Sequence, residues 1–211
     1  MAVDARESGH TLGGNARIAR YAYNAFGERI AKWIGAAAAI ANSAPSEQAI
    51  YDEDGHLLGR YTGSAQLIGE TLWLDDTPVA LIKPASAPQG GQAIPANGSA
   101  PAVQVFYIHP DHLDTPRVVV NASNQTVWRW ESAPFGDTEA DTNPAGLGAF
   151  DFTQRFPGQQ YDAESGLHYN YFRDYEAGSG RYVQSDPIGL EAGPATYTYV
   201  AASPTDGVDP F

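Results

Sequence analysis

The sequence contains no cysteine. Disulfides, thiolate catalysis and cysteine-bound zinc or iron–sulfur centres are thereby excluded. Basic residues are scarce. Twelve Lys and Arg stand against 25 Asp and Glu, a formal net charge of −13. A surface this acidic repels phosphate backbones, so no nucleic-acid partner is expected. Long apolar runs are missing as well. The most apolar stretch, Ile34 to Ala41, is Ala-rich and far too short to span a bilayer, so no membrane span is expected. The N-terminal string MAVDARESGHTLGG lacks the apolar centre of a Sec signal peptide. There is no G-x-S-x-G, no Walker A box and no dinucleotide fingerprint, and no cofactor is expected.

The residues that are present favour strands. Of the 211 residues, 43% are hydrophobic, and the chain holds 12 Tyr, 22 Gly and 15 Pro. That is enough chain and apolar surface for a core. Tyr-rich, Gly-rich segments punctuated by turns indicate an all-β chain of antiparallel hairpins. Residues 1–15 are small and polar and read as a flexible leader. Residues 16–83 read as a β segment. Within it, RYAYNAFGERIAK reads strand, turn, strand. Residues 35–44 allow a short helix, and turn signals at Asp54-Gly55, Thr62-Gly63-Ser64 and Asp75-Asp76 divide a meander. Residues 84–101 form a low-complexity loop of Pro, Ala, Gly and Ser. Residues 102–211 make a second β block. It opens with AVQVFYIHP and continues with a hairpin over 117–131, whose turn is Ala122-Ser123-Asn124-Gln125.

One pattern recurs. Tyr23-Asn24-Ala25-Phe26-Gly27 and Tyr51-Asp52-Glu53-Asp54-Gly55 are two copies. Tyr161-Asp162 to Gly166 is a third with one residue inserted, and Tyr175-Glu176 to Gly180 a degenerate fourth. The Tyr ring packs on a sheet, Asn or Asp bonds the turn backbone, and Gly takes a positive φ. One such hairpin cannot bury its apolar face alone, so copies are expected to join a larger sheet.

These repeats resemble those of RHS/YD-repeat proteins. The second half resembles the family's RHS repeat-associated core, through HPDHLDTPR (109–117), APFGD (133–137), FPGQQYDAESGLHYNYFRDYEAGSGRYVQSDPIGL (156–190) and YTYVAASPTDGVDP (197–210). The resemblance implies a spiralling β-sheet shell closed by a core domain over 102–211 with an irregular C-terminal tail. It implies a bacterial polymorphic toxin whose C-terminal toxin domain is encapsulated and then cut free by intramolecular aspartyl proteolysis. The implied partners are the rest of the shell, that toxin domain and a component of a secretion apparatus. The implied route is from the cytoplasm through a dedicated system without a Sec signal.

Asp186-Pro187-Ile188-Gly189 and Asp209-Pro210-Phe211 look like the family's paired Asp-Pro boxes, and Arg173 occupies the place of its upstream arginine. The catalytic set implied is Asp186, Asp209 and Arg173. Two close carboxylates can divide the roles of acid and base, with a guanidinium orienting them. Both boxes also fit plain turns, since Asp-Pro starts turns. The sequence ends one position before the Gly of the second box, and reads as a truncated shell segment. At most it is a self-cleaving protease with no external substrate.

His109, Asp111, His112 and Asp114 are metal-ligand types within six positions. Pro110 and Pro116 make the stretch a rigid turn, so it reads as structural. Trp73, Trp128 and Trp130 read as sheet core ahead of a sugar-stacking platform. A carbohydrate- or protein-binding module and an inert fragment are the rival readings. A shell needs many more strands than 211 residues supply, so open sheet edges and self-association are expected.

Overall fold

The computed structural model describes residues 6–12, 16–85, 92–94, 103–192 and 194–209. The chain divides into two compact units. One holds residues up to Glu70 with Ala163–Gly166, and the other Thr71–Asp162 with Leu167 onward.

The first unit is a run of antiparallel hairpins in chain order. Its strands are β1 (Arg6–Leu12), β2 (Ala16–Tyr23), β3 (Arg29–Ile34), β4 (Glu47–Tyr51), β5 (Leu57–Thr62) and the start of β6 (Leu67–Leu74). A four-residue helix, α1 (Ala36–Ala39), sits within the stretch expected to allow one. The leader expected over residues 1–15 is corrected in part. Arg6–Leu12 pair with β2 from Arg6↔Tyr23 to Leu12↔Ala16. The backbone edge of β2 supplies ladder partners whatever the side chains are, and a side-chain pattern does not register that.

The second unit begins with the rest of β6. It continues through β7 (Thr77–Pro84), β9 (Val103–Pro110), β10 (Pro116–Val120) and β11 (Thr126–Arg129), hydrogen-bonded in that order. The low-complexity loop is corrected at its middle. Gln92–Ile94 form β8, which pairs with Val103–Val105 of β9, while β10 pairs with β9 further along, from Tyr107 to Pro110. The rest of that loop, beyond Ala85, lies outside the described residues. A separate four-stranded sheet follows: β12 (Gln160–Asp162), β13 (Leu167–Asn170), β14 (Arg173–Glu176) and β15 (Arg181–Tyr182). Two short 3-10 turns, Gly189–Ala192 and Val200–Ala202, interrupt the irregular tail. No helix among the described residues is long and apolar enough to cross a membrane.

One hairpin turn is used repeatedly. The N–H of Asn24 donates to the carbonyl of Glu28, and the Asn24 side-chain oxygen accepts from the N–H groups of Phe26 and Glu28. Asp52 does the same with His56 and Asp54. Gly27 and Gly55 both stand at φ 86°, the region where a Cβ is penalised. The same closure recurs at Thr62 with Gln66, Asp111 with Thr115, and Asn121 with Gln125. There the positive φ falls on Ala65, Asp114 and Asn124. The repeat read as Tyr-Asp-x-x-Gly is therefore one case of a broader device. It needs a capping oxygen at its first position and a residue that tolerates positive φ at its fourth.

The second unit's core is aromatic. Phe106, Trp128, Trp130, Phe150, Phe152, Phe156, Tyr175, Tyr182 and Tyr199 are buried together with Leu81, Ile108, Val119 and Val127. The rings of Trp128 and Phe152 meet edge to face at 5.0 Å, as do those of Phe106 and Phe150 at 4.9 Å. The Trp130 indole N–H donates to the Thr138 carbonyl at 2.7 Å. Gly136, in the APFGD string, lies flat on this core. A Cβ there would come within 2.9 Å of Phe156 and 3.1 Å of Trp130. Tyr175 reaches the same string, donating to the Phe135 carbonyl at 2.8 Å.

Candidate functional site

The four-stranded sheet builds the site by alternation. Residues two apart on a strand share a face, and directly paired residues share it too. Pairing His168 with Tyr175, Asn170 with Arg173 and Tyr175 with Tyr182 puts all five side chains on one face. Only Tyr171 and Phe172 separate β13 from β14, so Asn170 and Arg173 stand opposite each other at the hairpin end.

Asp186 arrives on the segment after β15. Its N–H donates to the Thr196 carbonyl, and its Oδ1 accepts from the N–H of Ile188 at 3.0 Å. With Gly189 N–H donating to the Asp186 carbonyl, the first Asp-Pro box is a capped turn. Asp209 returns at the end of the tail, after Tyr199 has been buried in the core.

Arg173 joins the two boxes. Its Nη1 donates to Asp186 Oδ2 at 2.9 Å, and its Nη2 to Asp209 Oδ2 at 2.8 Å. The guanidinium is buried, while the two carboxylates keep partial access to solvent, with side-chain exposures of 17% and 27%. It lies 3.8 Å from the centre of the Tyr182 ring. A planar fork between two carboxylates offsets their mutual repulsion and fixes both at once. No hydrogen bond links Asp186 directly to Asp209 among the described residues. The three residues singled out from the sequence thus converge on one point.

Three neighbours were not singled out from the sequence. The Tyr182 hydroxyl donates to Asp209 Oδ2 at 2.9 Å. Asn170 Nδ2 donates to the Tyr182 oxygen at 2.6 Å and to the Asp209 carbonyl at 2.9 Å. Burial, then the charge of Asp209, holds the Tyr182 hydroxyl well above its ordinary pKa, against the pull of Arg173. Burial and the same Asp209 charge raise that of Tyr199. Both phenols remain proton donors at neutral pH. Pairing across the two-residue turn sets Asn170 opposite Arg173, and a step of two forward to Tyr175 followed by pairing across the next hairpin sets Tyr182 on the same face.

The other sequence candidates take structural places. Asp111 caps the turn, accepting from the N–H groups of Leu113 and Thr115 and from Arg117 Nε at 2.8 Å. Burial raises its pKa, but these donors outweigh burial and hold the carboxyl below its usual value. His112 faces the Thr205 carbonyl and Asp114 the Thr77 hydroxyl, so the His/Asp string does not converge on one point. Trp128 and Trp130 have no exposed surface and cannot stack a sugar.

Residues 97–196 match the family model described as the Teneurin YD-shell. The chain is 36% identical over 110 residues to double-stranded DNA deaminase toxin A of Burkholderia cenocepacia, and 39% identical over 123 residues to toxin protein Tse5 of Pseudomonas aeruginosa. These alignments cover 52% and 58% of this chain but only 8% and 9% of those proteins. A putative uncharacterized protein of Escherichia coli, YibJ, is 40% identical over 110 residues, with 52% of this chain and 46% of that protein covered. Among solved structures, TcdB2-TccC3 without its hypervariable C-terminal region matches with a TM-score of 0.59 at 18% identity, covering 95% of this chain and 9% of that one. A Photorhabdus luminescens Tc holotoxin pore matches with a TM-score of 0.60 at 19% identity, covering 97% and 9%. These structural likenesses establish a common antiparallel β fold.

Proposed function

We propose that this chain belongs to an RHS/YD-repeat shell, as its likeness to the YD-shell model and to toxin relatives supports, and that Asp186, Asp209 and Arg173 form an intramolecular aspartyl protease site that frees the toxin the shell carries. The observation that carries the reading is the convergence of two Asp-Pro boxes, 23 positions apart in sequence, on the single guanidinium of Arg173. A plain turn needs no such partner, and either box could cap itself with its own backbone.

The chemistry is peptide hydrolysis. One carboxylate takes a proton from water as the water oxygen bonds to the peptide carbonyl carbon. The other carboxyl, carrying a proton, gives it to the departing nitrogen as the C–N bond breaks. Arg173 holds both groups in place and sits where it can steady the oxyanion. The protease reading needs no metal or cofactor for this step. The toxin domain, the remaining shell and export through a dedicated apparatus are part of the same proposal. They rest on the toxin relatives, of which this chain spans less than a tenth.

The test is cleavage of the chain carrying its native downstream sequence past Phe211. Wild type is expected to yield two fragments on a gel, and Asp186→Asn and Asp209→Asn to stay intact. Cutting by either variant at the wild-type rate would sink the reading.

A further inference from the structure

The two carboxylates are not held alike. Asp186 has one donor on each oxygen: the Ile188 N–H on Oδ1 and Arg173 on Oδ2. Asp209 has two donors on Oδ2, Arg173 at 2.8 Å and the Tyr182 hydroxyl at 2.9 Å, and none on Oδ1 among the described residues. A base needs an oxygen with a lone pair turned to its proton donor and a charge stabilised from behind.

We infer that Tyr182 and Asn170 are positioning residues that lock Asp209 by one carboxylate oxygen and its main-chain carbonyl, leaving Oδ1 to act as the base. The inference rests on the autoproteolytic reading of the site. Asn170 sets the direction of the relay. Its Nδ2 donates both protons, one to the Tyr182 oxygen and one to the Asp209 carbonyl. The Tyr182 oxygen, already an acceptor, turns its own proton to Asp209. Asn170 is fully buried, and its Oδ1 has no partner among the described residues. An unpaired buried oxygen is costly and persists where other contacts fix the group. Here those contacts are the two bonds of Nδ2 around Asp209. Arg173 stacks on the Tyr182 ring, so ring and hydroxyl serve different partners.

The step balances. Asp209 Oδ1 takes one proton from water as the water oxygen bonds to the peptide carbon. Asp186 gives its proton to the leaving nitrogen as the C–N bond breaks. One water is consumed, and the proton gained by Asp209 replaces the one lost by Asp186.

The experiment is the time course of self-cleavage across pH, with the chain carrying its native downstream sequence, for wild type, Tyr182→Phe and Asn170→Ser. Tyr182→Phe keeps the ring under Arg173 and removes only the hydroxyl. Cleavage is expected to slow by about 10- to 100-fold, the weight of a hydrogen bond to a charged group. The rate profile is expected to move to higher pH, because the carboxylate loses a donor to its charged form. A residue that merely filled space would leave the pH profile in place. Wild-type rate and profile in Tyr182→Phe, with Asp209→Asn inactive, would overturn this inference and spare the protease reading. No cutting by wild type would overturn both. Should Tyr182→Phe fail to fold, Asn170→Ser carries the same expectation of slower cutting and a moved profile, and wild-type behaviour there overturns the inference equally.

Discussion

In the unit up to Glu70, the buried apolar residues among those described are small or few: Ala19, Tyr21, Ala22, Ala38 and Leu57. Charged side chains are buried beside them. Arg20 lies 3.9 Å from the Trp33 ring centre, Arg29 lies 5.0 Å from that of Tyr21, and Lys32 pairs with Glu164 at 3.1 Å. From Thr71 onward, a cluster of aromatic rings interlocks instead, and there Arg173 bonds both Asp186 and Asp209. Both regions nonetheless close their hairpins with the same capped turn. Hairpin geometry is thus local and portable. The dense aromatic core is what fixes a tail of irregular backbone tightly enough to hold a site.

Removing an aromatic ring should show the contrast at its largest. Trp130→Ala is expected to lose about 3–5 kcal/mol of stability in urea unfolding, since it opens a cavity under Phe156 and strands the Thr138 carbonyl. A loss under 1 kcal/mol would mean that the aromatic cluster does not hold the second unit together.

A smaller effect comes from pH. His168 is buried among Trp130, Tyr161 and Tyr175, and its Nδ1 faces Gln159 Oε1 at 2.9 Å. Burial, with nearby Arg155 adding to it and Asp162 opposing, pushes its pKa down to about 3. The unfolded chain, titrating near the ordinary 6.5, binds the proton first. Stability is therefore complete above about pH 6.5 and declines as pH falls towards 3, by about 2 kcal/mol at pH 5. Denaturation curves at pH 7.5 and 5 should display this slope, and His168→Gln should flatten it. An unchanged slope would place the acid sensitivity elsewhere.

The smallest effect tests the shared turn. Ala65 occupies the fourth turn position at φ 60°, where Gly27 and Gly55 stand in their copies. Ala65→Gly is expected to stabilise the chain by up to about 1 kcal/mol, and Gly55→Ala to destabilise it by about as much or more. Equal and negligible shifts in thermal midpoint would break the equivalence of the turns.

Much of this was legible in the sequence. Strand, turn and strand around Asn24, Asp52 and Asn121 followed from turn chemistry and β-formers. Family motifs located Arg173, Asp186 and Asp209, and the structure brings the three together. What escaped depends on partners that lie outside the local string. Arg6–Leu12 and Gln92–Ile94 are strands because a neighbouring backbone offers ladder partners, and composition is silent about that. Asp111, read from the sequence as a structural turn residue, caps its turn as expected. Thr62 and Asn121 were missed as copies of the repeat because the device needs a capping oxygen and a tolerant fourth residue, and only two of the five copies among the described residues spell that with Gly. Tyr182 and Asn170 were missed because register across two hairpins, not proximity in sequence, sets them beside Arg173.

If one guanidinium holds two carboxylates as a self-cleaving site, the intact mass of the freshly purified chain with its native downstream sequence reads it out. Wild type is expected to give two masses that sum to the full chain plus one water, and Arg173→Leu and Asp209→Asn the single uncut mass. A single uncut mass in wild type, or two fragments in Asp209→Asn, would contradict it.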